Sequence, residues 1–381
     1  MEQQNNKVLN KLKNSLKHGN EGQLGTKKND ECYTHMQDII NELSQWAMLG
    51  KFQGKDIICP CDWDITKDET IYSIKIEYKD PGVEVTGNNV YKAVKSVQYD
   101  LWQGEGNETT ITTINLAEDE IEDFLRDKLT CNFIRALTQN ARAWGIKSIT
   151  ASGYNPAIDK GVKFQDIDYS KYDVCVTNPP FSLKAEFMAS IVGKIDFIVL
   201  LPFVSRNKNP IGIPMMLKQA YLGFGVHLPL TFANPTKENN YSGEKSVACD
   251  WITSFPEAQI ERNARHFKSG VKYDLYKDDF EIVDKMVMKD DTLPIRVSTS
   301  TYPEDYDGWM FAAISVLDNL DQETYEWYAT DTTGFFNNDP IGKTLSPYKG
   351  RWTCENIAIG SKKLFGGIVF RKKSVGEATN D

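Results

Sequence analysis

The sequence predicts an α/β fold in which a mostly parallel sheet is covered by helices on both faces. From residue 146 onward, apolar runs alternate with a segment of helical periodicity. Residues 146–151, 172–177 and 195–200 are strand-like, and residues 185–192 are helix-like. The runs at 172–177 and 195–200 are mostly apolar, as strands buried on both faces are. Strands that alternate with helices indicate parallel pairing through crossover connections.

The first part of the chain is assigned in order. Residues 1–29 are rich in Asn, Lys, Gln and Gly, and we expect a flexible basic arm there. Apolar side chains recur at helical spacing over residues 36–49, which predicts an amphipathic helix. Residues 55–62 form a short apolar run that ends in a turn, as a buried strand does.

The next segments complete the predicted organisation. Residues 70–115 alternate as β-strands do around two turn signals, which predicts a β-rich insertion that loops out of the sheet. Two helices follow, at residues 121–129 and 133–144. Residues 30–205 are then the catalytic core, and residues 206–381 carry the remaining core elements and a recognition region.

Composition excludes several classes of protein. Of 381 residues, 40% are hydrophobic and 25% are charged, which excludes collagen-like, disordered and disulfide-scaffold chains. The longest apolar run, residues 197–204, is far shorter than the roughly 18 residues that span a bilayer. No apolar secretory signal is visible near the N-terminus. We therefore expect a cytoplasmic protein with no membrane partner.

The charge is unevenly distributed. The formal net charge is −9, yet residues 1–29 contain six lysines and two glutamates. Residues 342–373 contain eight Lys and Arg residues and one Glu. Basic ends on an acidic body can present a positive surface to phosphate groups, because only nearby charges act strongly. A merely solvated terminal tail is the alternative.

Neither the seven cysteines nor the four histidines predict a metal site. The cysteines are scattered and mostly border apolar residues, as reduced core cysteines do. Cys59 and Cys61 lack the spacing of a zinc ribbon and have no Cys or His partner nearby. No metal ligand is therefore expected.

The strongest local signal is Asn178-Pro179-Pro180-Phe181, directly after the strand-like run at 172–177. Two prolines stiffen the loop, whose carbonyl groups project where open α/β sheets bind ligands. An amino group that attacks an electrophilic methyl carbon needs acceptors for its two hydrogens. The Asn178 side-chain oxygen and the Pro179 carbonyl can supply both, and Phe181 adds a face for stacking a flipped base. An ordinary rigid turn is the alternative.

This loop resembles the catalytic loop of S-adenosylmethionine-dependent methyltransferases that act on the amino group of adenine. Asp30-Glu31-Cys32-Tyr33-Thr34 with residues 37–43 is similar to the opening motif of adenine-specific DNA methyltransferases of the EcoRI-modification type. Residues 59–62 and 251–254 resemble that family as well. The resemblance implies a Rossmann-like methyltransferase sheet, a C-terminal target-recognition region and double-stranded DNA as substrate.

The resemblance also implies a role for each matching residue. Asn178, Pro179, Pro180 and Phe181 are the catalytic loop; Tyr33 and Thr34 lie against the methionine part of S-adenosyl-L-methionine; Cys59, Pro60, Cys61 and Asp62 pass under this cofactor; Asp166 and Ile167 contact its adenine. Each role has an alternative. Thr34 can instead cap the helix that follows, Asp62 can be a solvated loop carboxylate, and Asp168 can replace Asp166.

Two family features are missing. The turn after the first strand contains no glycine, although glycine lets the backbone approach a cofactor closely. Residues 146–155 contain no acid for the ribose hydroxyls, and either Ser152 or Tyr154 is the expected replacement.

The predicted function is a site-specific DNA adenine-N6 methyltransferase that acts on a flipped adenine, in a restriction-modification or orphan epigenetic system. In a restriction-modification system, a cognate restriction endonuclease is a further expected partner. An RNA adenine methyltransferase and a catalytically idle DNA-binding scaffold are the alternatives. An RNA enzyme needs exposed stacking aromatics. Six aromatics are candidates for stacking on bases or wedging into a groove, with core packing as the alternative: Trp309, Tyr325, Trp327, Tyr328, Phe335 and Phe336.

Overall fold

The structure is a computed structural model that describes residues 33–63, 73–78, 89–95, 110–116, 132–206, 209–233, 245–265, 270–330, 344–349, 357–364 and 366–373. The chain divides into two compact units. The large-sheet unit contains the described residues up to 202 and from 223 to 254. The second unit contains those from 203 to 222 and from 255 onward. The predicted arm at 1–29 and the predicted helix at 121–129 lie outside the described residues.

The secondary structure follows the sequence pattern closely. The strands are β1 (Tyr33–Thr34), β2 (Asp56–Cys59), β3 (Ser73–Glu77), β4 (Asn89–Lys95), β5 (Thr110–Leu116), β6 (Ser148–Ser152), β7 (Tyr154–Asn155), β8 (Lys160–Gly161), β9 (Val174–Thr177), β10 (Asp196–Pro202), β11 (Tyr221–Leu222), β12 (Leu228–Ala233), β13 (Lys245–Thr253), β14 (Ile295–Arg296), β15 (Met310–Ala313), β16 (Tyr325–Ala329), β17 (Ala358–Ile359), β18 (Lys362–Lys363) and β19 (Gly367–Lys372). The α-helices are α1 (Met36–Met48), α2 (Asn132–Asn140), α3 (Lys184–Ile191), α4 (Asn209–Met216), α5 (Glu257–Ala264) and α6 (Tyr273–Tyr276). The predicted strands at β2, β6, β9 and β10 and the predicted helices at α1, α2 and α3 are therefore confirmed. Among the described residues, no helix combines the length and the apolarity needed to cross a bilayer.

The large sheet is mixed. Its strand order is β1-β12-β13-β10-β9-β2-β6-β3-β4-β5. The four central strands β10, β9, β2 and β6 are parallel, whereas both flanks pair in antiparallel fashion. The prediction of a mostly parallel sheet is correct for the centre and wrong for the flanks. Hairpin-connected segments extend the sheet there, and antiparallel pairing needs no crossover.

The strand order fixes where a ligand can bind. Strand β2 lies between β6 and β9, so the chain runs from β2 to β6 on one side and then to β9 on the other. A crevice opens beyond the carboxyl ends of neighbouring strands where the order reverses in this way. The carboxyl ends of β2 and β9 therefore define the candidate site.

A charged cluster aligns the amino ends of the same strands. The Asp56 amide in β2 donates to Asp173 Oδ2 (2.8 Å), just before β9. The Asp56 carboxylate accepts from Lys147 Nζ (2.6 Å) and from the Ser148 hydroxyl of β6. Burial raises the pKa of Asp56, but the hydrogen bonds from Lys147 and Ser148, together with the charges of Lys147 and Lys75, hold the pKa below its ordinary value. The cluster thus ties β6 and β9 to β2.

Helix α1 contributes a buried carboxylate to the core. Glu42 lies on the face of α1 that also buries Leu43 and Trp46. Its carboxylate accepts from Trp46 Nε1 (2.8 Å), Phe224 N (3.0 Å) and Gly225 N (2.7 Å). Charge-assisted bonds of this kind compensate for burying the carboxylate. They join α1 to the loop that leads into β12.

The β-rich segment at residues 70–115 is not placed outside the sheet. Strand β3 pairs antiparallel with β6, with Ile76 opposite Ile149, and strands β4 and β5 follow it. The expectation that this segment loops out of the sheet is therefore wrong for its described strands. The reason is that Ile74 and Ile76 are buried when β3 joins the sheet. Strand β3 also covers the edge of β6, which would otherwise be open.

The second unit has its own sheet and core. Its four strands follow the order β14-β15-β19-β16. Trp309, Tyr325 and Trp327 are buried in this unit, which confirms the core reading for these aromatics. Tyr328 is partly buried against the same core, and Phe335 and Phe336 lie outside the described residues.

Candidate active site

The catalytic-loop candidate lies at the crevice. Strand β9 ends at Thr177, and Asn178 follows directly. The Thr177 hydroxyl donates to Asp62 Oδ2 (2.6 Å), and both side chains are buried. This hydrogen bond joins the ends of β9 and β2. Asp62 is thus a buried, bonded carboxylate, and the alternative of a solvated loop carboxylate is wrong.

The proline pair is anchored into α3. Pro179 is buried, whereas Asn178, Pro180 and Phe181 are partly exposed. The Pro180 carbonyl accepts from Leu183 N (2.9 Å), and the Phe181 carbonyl accepts from Lys184 Nζ (2.8 Å). The loop is thus fixed at its far end, while Asn178 and Phe181 keep accessible surface. Such a loop can hold a planar group without moving.

Thr34 contacts the catalytic-loop candidate directly. The Asn178 Nδ2 group donates to Thr34 Oγ1 (3.4 Å), and only 2% of Thr34 is exposed. Its backbone carbonyl accepts from Asn132 Nδ2 (2.8 Å) at the start of α2. His35, and not Thr34, is the N-cap residue of α1, so the alternative helix-capping role for Thr34 is wrong. Tyr33 precedes it in β1 and pairs with Ala233.

The turn after β2 is compact despite having no glycine. Cys59 is fully buried, and Cys61 is partly exposed. Burial of the Cys61 thiol, followed by the charge of Asp62, raises its pKa well above the ordinary value. The backbone amide of Asp62 donates to the Ser152 carbonyl (3.1 Å) at the end of β6. A protonated thiol is a poor nucleophile, so the turn contributes shape and polarity to the site.

The segment before β9 presents Asp166 and Ile167. Phe164 and Tyr169 are buried on either side, and the Tyr169 hydroxyl donates to the Phe164 carbonyl (3.0 Å). Asp168 caps the 3₁₀ turn at Tyr169–Lys171, since its Oδ1 accepts from the Ser170 backbone amide (3.3 Å) and also from the Ser170 hydroxyl (2.6 Å). Asp166 is exposed and makes no such bond with the described residues. The arrangement favours Asp166 over Asp168 as a ligand group.

Ser152 and Tyr154 differ in availability. Ser152 ends β6 and is 2% exposed, and its Oγ has no hydrogen-bond partner among the described residues. The Tyr154 hydroxyl, by contrast, donates to Asp159 Oδ1. A buried hydroxyl at the carboxyl end of a strand is where a ligand oxygen can be bound.

Sequence reasoning missed the roles of two residues at this site, Asn132 and Thr177. Asn132 had a recognisable signal, because Asn directly before an apolar helical run marks a helix start. Thr177 had none. Its hydrogen bond to Asp62 joins residues that lie 115 positions apart in the chain, and such pairings are set by the tertiary fold.

Comparison with known proteins identifies the family. A family model described as adenine-specific methyltransferase EcoRI matches residues 23–373, nearly the whole chain. No match was found among the curated proteins or the solved structures. The match covers both the Asn178 loop and the Thr34 segment that the structure brings together. The chain therefore belongs to the EcoRI family of adenine-specific methyltransferases, and the protein is a methyltransferase.

Proposed function

We propose that the protein transfers a methyl group from S-adenosyl-L-methionine to the N6 amino group of an adenine flipped out of double-stranded DNA. The observation that carries the proposal is the position of Asn178. It follows a central parallel strand at the crevice, and it is held by Thr34 yet partly exposed. The stiff Pro179-Pro180 pair and the accessible Phe181 ring support the same reading.

The side chains of the loop divide the work. The Asn178 side-chain oxygen and the Pro179 carbonyl accept the two N6 hydrogens, so the nitrogen lone pair points at the methyl carbon. Phe181 stacks on the extrahelical base. The cofactor supplies an electrophilic methyl group on a sulfonium. The new N–C bond forms as the C–S bond breaks, and the surplus amine proton leaves to solvent.

The residues around the crevice fit this cofactor. Tyr33 and Thr34 would hold its methionine part, the turn from Cys59 to Asp62 would lie beneath it, and Asp166 with Ile167 would receive its adenine. The buried Ser152 hydroxyl has no partner among the described residues, so it suits a ribose hydroxyl in place of the missing acid. The Asp159 contact of Tyr154 makes that residue the weaker candidate.

The proposal extends to the architecture. We assign the large sheet to the Rossmann-like class of S-adenosylmethionine-dependent methyltransferases, with helices on both faces. Residues 30–205 form the catalytic core with the β-rich insertion at 70–115. Residues 206–381 complete it and carry target recognition. The setting is a restriction-modification or orphan system in the cytoplasm, the former with a cognate restriction endonuclease.

Three aromatic side chains bear on the choice between duplex DNA and RNA. Trp309, Tyr325 and Trp327 are buried in the second unit and so offer no stacking face. Recognition of single-stranded RNA relies on exposed aromatic platforms. These three residues therefore give the RNA alternative no support.

The test is methyl transfer from labelled S-adenosylmethionine to unmethylated genomic DNA, followed by nucleoside analysis. Wild type should label N6-methyladenine, and Asn178→Ala should lose at least about 100-fold in rate, as losing a key acceptor does. Asn41→Ala makes the same chemical change on the exposed face of α1 and should retain full activity. Unlabelled DNA with wild type, beside a working control enzyme, would refute the proposal, and label in RNA instead would favour the alternative.

A further inference from the structure

Thr34 and Asn132 connect two distant segments to the catalytic loop. We propose that Thr34 is a positioning residue that sets the orientation of the Asn178 amide, and that Asn132 holds Thr34 in place. The inference rests on the proposed role of Asn178 and assigns Thr34 a task separate from cofactor contact.

The orientation of the Asn178 amide decides what it can do. Its oxygen accepts hydrogen bonds and its NH2 group donates them, and the two point in different directions. The Nδ2 group faces Thr34 Oγ1 at 3.4 Å, which turns the oxygen away from Thr34. This oxygen is buried, so its direction decides whether an amine that enters the site meets an acceptor. A flipped amide would present donors to the N6 hydrogens and would repel them.

Thr34 is well placed to act on this amide. It is 2% exposed, so water competes little for its hydroxyl. Its backbone pairs with Phe232 of β12, and its carbonyl accepts from Asn132 Nδ2 at 2.8 Å. Helix α1 begins two residues after Thr34, and its Glu42 accepts from Phe224 N and Gly225 N. These contacts also help to hold the segment that contains Thr34.

The orientation of Asn132 is itself determined. A carbonyl oxygen is only an acceptor, so the Asn132 side chain must turn its NH2 group toward Thr34. Its Oδ1 then accepts from Arg135 Nη1 (3.5 Å), and a guanidinium is only a donor. Both neighbours therefore require the same orientation. A chain of polar contacts runs from Arg135 through Asn132 and Thr34 to Asn178.

The prediction separates positioning from binding. Thr34→Val keeps the shape of the side chain and removes the hydroxyl. Its single-turnover rate at saturating cofactor should fall by about tenfold, the equivalent of one lost hydrogen bond. The Kd for S-adenosylmethionine, measured by calorimetry, reports separately on the proposed contact of Thr34 with the cofactor, because the rate at saturating cofactor does not depend on it. Thr34→Ser should restore the rate, and Asn132→Ala should lower it as Thr34→Val does.

A second readout needs no turnover. In protein labelled with ¹⁵N asparagine, the Asn178 side-chain resonance is identified by its loss in Asn178→Ala. This resonance should shift in Thr34→Val and in Asn132→Ala, and it should stay in place in Thr34→Ser. Thr138→Val is the matched control, because its hydroxyl bonds only within α2 in the described structure.

The outcomes distinguish the two proposals. If wild type transfers no methyl group, the proposed function fails, and the resonance still decides whether Thr34 orients Asn178. An unmoved resonance in Thr34→Val overturns the positioning role. So does a rise in Kd with an unchanged saturated rate, which would leave Thr34 as a cofactor contact only. A fall in thermal midpoint without rescue by serine would indicate a merely structural role.

Discussion

Removal of the Glu42 carboxylate tests how the segment that holds Thr34 is anchored. Glu42→Ala leaves three donors without their acceptor: the buried Trp46 Nε1 and the partly buried Phe224 N and Gly225 N. Each buried donor left unsatisfied costs about 1–3 kcal/mol. Deleting the carboxylate also removes its own desolvation cost, which offsets part of that loss. The expected net change is about 4 kcal/mol in the free energy of unfolding of the large-sheet unit.

Glu42→Gln refines the estimate. Glutamine keeps the volume and one acceptor oxygen, but its NH2 group faces one of the two backbone donors. The expected loss is therefore smaller, about 2 kcal/mol. Glu186→Gln in α3 is the matched control, because Glu186 is partly exposed and the described structure gives its side chain no hydrogen bond. It should change stability by less than about 0.5 kcal/mol.

The assay is urea unfolding together with native-state hydrogen exchange. Exchange reports on the amides of Phe224 and Gly225 individually, and their protection should fall in Glu42→Ala before that of the central strands does. A change below about 1 kcal/mol in Glu42→Ala would refute the reasoning, since water would then replace the carboxylate at little cost. Equal losses in the Gln and Ala variants would refute the assignment to individual bonds.

Three further predictions concern the frame of the site. The pKa of Asp56 is lowered in the folded protein. Its stabilising contribution is therefore present above the ordinary carboxyl pKa and disappears as pH falls through the lowered value. In an acid titration, wild type should lose more stability than Asp56→Asn. In Gly153→Ala, the new Cβ would lie 1.9 Å from the Trp63 carbonyl oxygen, and thermal unfolding should show a loss of about 3 kcal/mol or more. The raised pKa of Cys61 predicts that it alkylates more slowly at pH 8 than a cysteine peptide, as peptide-resolved mass spectrometry can measure.

The fold was predictable where periodicity is strong and local. The apolar runs of β9 and β10 and the spacing of Ile39, Leu43 and Trp46 in α1 identify those elements directly. Pairing was not predictable, because residues 73–77 read as a strand without indicating that β6 is their partner. The alternation of apolar and polar residues predicts which face of a strand is buried, but it does not predict which strand becomes its neighbour in the sheet.

The candidate site shows the same division. Asn178 and the prolines after it were predicted as a catalytic loop because their chemistry lies in consecutive residues. Asp62 was predicted through the resemblance, but its bond to Thr177 spans 115 residues and required the fold. Thr34 was assigned to the cofactor, and its contact with Asn178 was not foreseen. Contacts between residues on separate strands produce no local pattern, so a single sequence does not predict them.

The chemistry of the described crevice explains why positioning matters so much to it. Burial keeps the Cys61 and Cys175 thiols protonated, and the Asp62 carboxylate is bonded to Thr177. These groups are therefore poorly suited to act as a nucleophile or a base at neutral pH. In the proposed mechanism the acceptors are the Asn178 amide oxygen and the Pro179 carbonyl, neither of which titrates. Their contribution to catalysis depends on whether they point at the amine hydrogens, and they keep this direction only if the loop cannot rotate. The consecutive prolines restrict the backbone of the loop, and the buried Thr34 restricts the Asn178 side chain. The backbone and the side chain that carry the two acceptors are therefore restrained by different groups.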